Sequence, residues 1–144
     1  MDALLDDAAE QGVVVQWVNR MPTGLRGAYH LATRTILLRE GMPDRLAVPT
    51  LMHELTHATR GDDGHQDRAI EVHINRAVAC RLITPDSYRR AEAAVGPHPG
   101  ALAVELDVAR WVVAAYQSTL RQGVTRSLRD VRLKPPARAR GGAR

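Results

Sequence analysis

Apolar positions at the start of the chain recur with a helical period. Ala3, Leu4, Leu5, Ala8 and Ala9 fall near one face and Gly12 ends the run, which predicts a short N-terminal helix. Residues 13–19, VVVQWVN, are few and β-branched, as a strand requires. Residues 26–32 (RGAYHLA) and 34–40 (RTILLRE) read as a hairpin pair around Thr33, although Ile36, Leu37 and Leu38 in succession blur the period of two. GMP at 41–43 marks a turn. In the stretch that follows, DRLAVPTLMHELTHATRG, Pro49 lacks an N–H and its ring clashes with the preceding turn. The firm helix is therefore expected to begin near Val48 or Pro49 and to stop at Gly61. A second long helix is expected over residues 65–84, with Ile70, Ile74, Ala77, Val78 and Leu82 at helical spacing and Pro85 ending it. A third follows over 85–95 with Asp86 as its N-cap. GPHPG punctuates the chain, and residues 101–120 hold one or two more helices. A helix, a small sheet and a helical remainder make the expected fold class α+β.

Composition narrows this picture. A chain of 144 residues suits one domain with a single core. Phenylalanine is absent and aromatics make up 3%, so alanine, valine and leucine must build that core and no aromatic platform for stacking bases is expected. The net charge of +4 is unevenly placed. From Arg121 onward there are eight basic residues and one acid, Asp130, which leaves twelve basic and fifteen acidic residues before it. That basic stretch loses the apolar pattern and ends in Pro, Gly and Arg, the composition of a disordered tail. Such a tail can touch nucleic acid through phosphate charge, but a run of like charge in a Pro/Gly setting is more often simply solvated. Cys80 is the single cysteine, so no internal disulfide can form, which fits a reducing compartment. The acidic MDALLDDAAE has no apolar segment of signal-peptide length, and no apolar run approaches the ~18 residues that span a bilayer. The expectation is a soluble cytoplasmic protein without a membrane partner.

The candidate chemistry lies in LMHELTHATRGDDGH, residues 51–65, which holds three of the six histidines. HELTH puts His53 and His57 four apart, hence on one helical face about 6 Å from each other, where both imidazoles reach one cation. Glu54 sits at the edge of that face and is placed to take a proton from a water that zinc acidifies, without being a ligand. The bland alternative is a solvated helix with two histidines. A catalytic zinc takes three protein ligands and an open position. Candidates for the third are Asp63, which holds the ligand position of the extended metzincin pattern although Arg60 stands where its glycine belongs and Gly61 is off by one, the out-of-register His65, and Glu71 and His73 on the next helix. Glu71 and His73 lie about 200° apart, so only one can face the ion. The core stripe Ile70, Ile74, Ala77 and Val78 lies on the side nearer Glu71, which favours Glu71. Asn75, four residues on, shares its face and can hydrogen-bond the outer nitrogen of a ligand histidine.

Two stretches, LMHELTHATRGDDG and EVHINRAVACRLITPDSY, resemble the ImmA/IrrE family of small bacterial and phage metallopeptidases. The family follows its H-E-x-x-H helix with a second helix of the form E-x-x-x-(D/N)-x-x-A-A-x-x-L-(I/L), which reads here as Glu71, Asn75, Val78, Ala79, Leu82 and Ile83. The likeness covers residues 13–90, with RGAYHLATRTILLRE similar to the family's short sheet. Val78 departs from the usual small residue, and Asn75 stands where some members carry an acid. The resemblance implies a zincin-like domain over residues 1–95, a helix-turn-helix-like extension over 96–121 and the basic tail over 122–144. It implies a zinc endopeptidase in which His53, His57 and Glu71 bind Zn2+ and Glu54 activates water, acting on a protein substrate such as a DNA-binding repressor. In zincin folds a sheet edge pairs with the extended substrate, and RTILLRE is the candidate edge. Tyr29, His30, His73 and Tyr88 are candidates for stabilising an oxyanion. The alternative function is a non-catalytic DNA- or protein-binding regulator with a structural metal site or none. Its support is the spacing of Ala103, Leu106, Val108 and Val113, with Asp107 where a turn glycine is usual. Any packed helix pair shares that spacing, so nucleic acid is the weaker partner reading.

Overall fold

A computed structural model of the protein describes residues 1–63, 66–121 and 123. The expected basic tail over 122–144 and the candidate ligand His65 lie outside the described residues, apart from Gly123. The fold is α+β: among the described residues, six helices accompany one three-stranded mixed sheet. Helix α1 (Asp2–Glu10) leads to strands β1 (Val14–Val18), β2 (Gly27–His30) and β3 (Thr35–Arg39). Helices α2 (Asp44–Arg60), α3 (Arg68–Leu82), α4 (Pro85–Val95), α5 (Pro99–Glu105) and α6 (Arg110–Arg121) complete the chain. No helix among the described residues is long and apolar enough to cross a membrane.

The sheet order is β1-β3-β2. β2 and β3 form the antiparallel hairpin, Gly27 opposite Leu38 and His30 opposite Thr35, while β1 runs parallel to β3. This corrects one expectation: RTILLRE is the central strand and not a substrate-binding edge. Its pattern explains why. Ile36 and Leu38 are fully buried on the face turned toward α2, and Leu37 between them points to the other face, half-buried beside its neighbours on β1 and β2. Among the described residues the outer strands are β1 and β2, and β2 is the one that lies against α2.

Helix α2 lies between the sheet and α3. Leu51, Leu55 and Ala58 pack with Ile36 and Leu38 on one side, and Met52 packs with Ile74 and Val78 on the other. It begins at Asp44, four to five residues before the expected start, and runs through Pro49. Pro49 forfeits one bond, to the carbonyl of Arg45. Burial of Ala47, Pro49 and Leu51 offsets that loss, since a fully buried aliphatic side chain contributes about 2 kcal/mol. The helix stops at Gly61, whose φ of 71° permits a left-handed turn that closes two bonds, Gly61 N–H to Ala58 and Asp62 N–H to His57. Helix α3 is capped by Asp67, whose side chain accepts from the Ala69 and Ile70 amides. Asp86 is not the cap of α4. Thr84 caps it in a reciprocal box with Ser87, because Pro85 takes the first helical position and pushes the cap one residue before itself.

The helical remainder has its own apolar cluster, in which Ala79, Cys80 and Ile83 meet Leu102, Val112, Val113 and Tyr116. α3 therefore contributes to both halves of the interior, its first turns to the α2 side and its last to α5 and α6. Asp107 adopts φ 49° between α5 and α6, the left-handed turn that its position required of a non-glycine residue.

Candidate metal centre

Helical geometry brings His53 and His57 to the same face of α2, and Ile74, fully buried against Met52, presses α3 beside them. Glu71 then projects from the first turn of α3 toward both imidazoles. The three donor atoms lie close together: His53 Nε2 to His57 Nε2 is 2.9 Å, His53 Nε2 to Glu71 Oε2 is 3.2 Å, and His57 Nε2 to Glu71 Oε1 is 3.6 Å. His53, His57 and Glu71 form a group that could hold a metal ion. His73, two residues from Glu71, is exposed on the opposite side of α3, as the 200° separation requires. Asp63 is exposed and stays out of the group.

The outer nitrogens of both rings are engaged. His53 Nδ1 donates to Asn75 Oδ1 at 3.0 Å, and His57 Nδ1 donates to Asp62 Oδ2 at 2.9 Å. In a neutral ring, donation from Nδ1 leaves Nε2 with a lone pair. Two such nitrogens and a carboxylate converge at short distances, a donor set suited to a cation. Asp62 is an unforeseen member of this arrangement. The left-handed Gly61 folds the chain back so that Asp62 meets both His57 and Arg60, whose Nε donates to it at 2.8 Å. Burial pushes the Asp62 carboxyl up, but the hydrogen bonds from Arg60 and His57 outweigh it and hold the group below its ordinary value. The positively charged form of His53 is disfavoured by burial first and by neighbouring His57 next, so its pKa falls despite Glu71 and Asn75. A neutral imidazole is the form that binds metal.

Glu54 stands one residue along from His53, 9% exposed. Burial raises its carboxyl from 4.5 to about 7, opposed by His57 and by the backbone N–H of Tyr29 and reinforced by the charge of Glu71. β2 approaches this carboxylate very closely. A Cβ on Gly27 would lie 2.6 Å from Thr50 Cγ2, 3.0 Å from Glu54 Cγ and 3.2 Å from Glu54 Oε1, so only glycine fits there without displacing the side chains below it. A cleft of about 260 Å³ opens over the group, lined by Leu25 and β2 residues Gly27, Ala28 and Tyr29 on one side and by His53, Glu54, His57 and Glu71 on the other.

None of the four oxyanion candidates places a polar side-chain atom at the group. Tyr29 lines the cleft, but its hydroxyl is buried and finds no hydrogen-bond partner among the described residues. His30 is exposed beside Thr33, and His73 faces away. Tyr88 belongs to the C-terminal core, its ring 5.0 Å from Tyr116 and its hydroxyl bonded to Glu92 and Gln117. An unforeseen aromatic does approach: Trp111 of α6 stands edge-on to His53 with ring centroids 6.4 Å apart. No feature of the sequence around Trp111 marks it, since its role follows only from the packing of α6 on α3.

Comparison of the chain with protein-family models, with curated proteins and with solved structures finds no match.

Proposed function

We propose that this protein is a zinc-dependent endopeptidase with a zincin-like active site, the reading that its resemblance to the ImmA/IrrE family also implies. The observation that carries it is the pair of Nε2 atoms 2.9 Å apart whose outer nitrogens both donate to acceptors, with Glu71 completing the set. Tetrahedral zinc with ligand bonds of about 2.0–2.1 Å separates its donors by about 3.3 Å, and the three spacings here straddle that value. A structural site is normally closed by a fourth protein ligand, whereas three donors converge among the described residues and a cleft opens beside them. Zinc in such a position supplies an electrophile that acidifies water and polarises a carbonyl.

The chain's own residues supply the rest. Asn75 and Asp62 hold the imidazoles in the donating tautomer and orientation. Glu54, raised toward neutrality by burial, takes a proton from the attacking water and returns it to the leaving amine. An extended peptide docks along the outer edge of β2 by strand addition, which carries the scissile bond past His53 and Glu54. The substrate is a protein, and a DNA-binding repressor is the class the resemblance points to.

Glu54→Gln tests the mechanism. The variant should bind zinc as the wild type does and fail to cleave peptide. Cleavage at the wild-type rate by zinc-loaded Glu54→Gln would remove Glu54 from the chemistry.

A further inference from the structure

The metal group has open space on two sides. Beyond the compartment over His57 and Glu71 lies a second, of about 330 Å³, bounded by Gly24, Leu25, Thr50, Asn75 and Trp111, with Arg26 at its rim. The two compartments share Leu25, Gly27, His53 and Glu54, so they lie on either side of the same residues beside the metal group. The second is a shallow depression open to solvent, wide enough for one large side chain to lie against its apolar walls.

We propose that Trp111 and Leu25 wall a subsite that selects a large apolar side chain next to the scissile bond; this rests on the peptidase reading above. Leu25 is 44% exposed and Trp111 half-buried, so an occupant would take water off apolar surface on both. Arg26 and Glu54 line the compartment with one charge of each sign, so neither a basic nor an acidic side chain has a consistent advantage there, and the apolar surface of Leu25 and Trp111 sets the preference. The wall is rigid on the side of α6, because Trp111 packs against both the C-terminal cluster and the Met52, Ile74 and Val78 cluster. The C-terminal helix, which contributes no donor to the metal group, thereby sets which peptides are cut.

The test is digestion of a randomised peptide pool by zinc-loaded wild type, Trp111→Ala, Trp111→Phe and Leu25→Ala, with zinc content measured for each. In wild type one position flanking the cut should be enriched in leucine, methionine and phenylalanine. Trp111→Ala should lower the kcat/KM ratio of leucine over alanine at that position by about tenfold or more, with zinc per chain and preferences elsewhere unchanged. Trp111→Phe should keep most of the ratio. Leu25 is on the surface, so Leu25→Ala should fold normally and lower the same ratio if Trp111→Ala does not fold. A binding measurement stands beside these: zinc-loaded Glu54→Gln should bind the leucine peptide more tightly than its alanine counterpart by calorimetry, and the added Trp111→Ala change should erase the difference. An unchanged ratio in both Trp111→Ala and Leu25→Ala would overturn the subsite and leave the peptidase standing. Failure of zinc-loaded wild type to cut any peptide would overturn the peptidase reading and the subsite with it.

Discussion

Replacing Glu54 with glutamine in metal-free protein should flatten the dependence of its stability on pH. The carboxyl is 9% exposed and is raised from 4.5 to about 7 in the folded state, mainly by burial. A folded pKa above the unfolded one means that the native state holds the proton more tightly. The stabilisation from that proton is complete below pH 4.5 and is lost as pH rises through 7. With about 1.4 kcal/mol for each tenfold change in proton affinity, the loss is about 3 kcal/mol at most. Glutamine keeps an oxygen to accept the Tyr29 N–H and carries no proton to lose. The two proteins should therefore have similar stability near pH 4.5, and the glutamine variant should be more stable by up to about 3 kcal/mol near pH 8. Urea unfolding followed by circular dichroism, with chelator present from pH 4.5 to 8, measures this directly. The difference between their curves reports Glu54 together with its coupling to His57 and Glu71, which are the charges closest to it. Curves that stay parallel across the range would show that Glu54 is not held in a desolvated site, and its suitability as a base near neutral pH would lose its physical ground.

Other substitutions probe the surroundings of the metal group. Asn75→Ala and Asp62→Ala each release one imidazole from its acceptor and should weaken zinc binding by about 10–100-fold in a competition titration with a chromogenic chelator; unchanged affinity in both would deny them a positioning role. Gly27→Ala places a methyl against Thr50 and Glu54, so zinc content should be kept while kcat falls by tenfold or more, about what a small misplacement of a reacting group costs. Wild-type kcat in Gly27→Ala would show that β2 can move away from α2 without consequence.

Different parts of the fold were legible in the sequence to different degrees, for identifiable reasons. His53 and His57 share a face because helical spacing alone dictates it. The choice of Glu71 over His73 as the residue facing them rested on the core stripe of α3, and the buried Ile74 fixes that stripe in the structure. Local chemistry misled where packing overrode it. Pro49 looked like a helix boundary, yet the apolar surroundings of α2 carry the helix back to Asp44. RTILLRE looked like an edge because pairing partners are not written in a strand's own residues, and only the parallel pairing of β1 puts it in the centre. Asp62 depended on a left-handed turn at Gly61 that returns the chain to His57, and Trp111 on the docking of α6 against α3. Both are contacts between side chains whose orientation no periodicity specifies.

The central claim is that His53, His57 and Glu71 together bind one metal ion. Elemental analysis of purified wild type, Glu71→Ala and His73→Ala after zinc loading and desalting tests it most directly. About one zinc per chain is expected in wild type and in His73→Ala, with most of it lost in Glu71→Ala. Wild type that retains no zinc, or Glu71→Ala that retains as much as wild type, would contradict it.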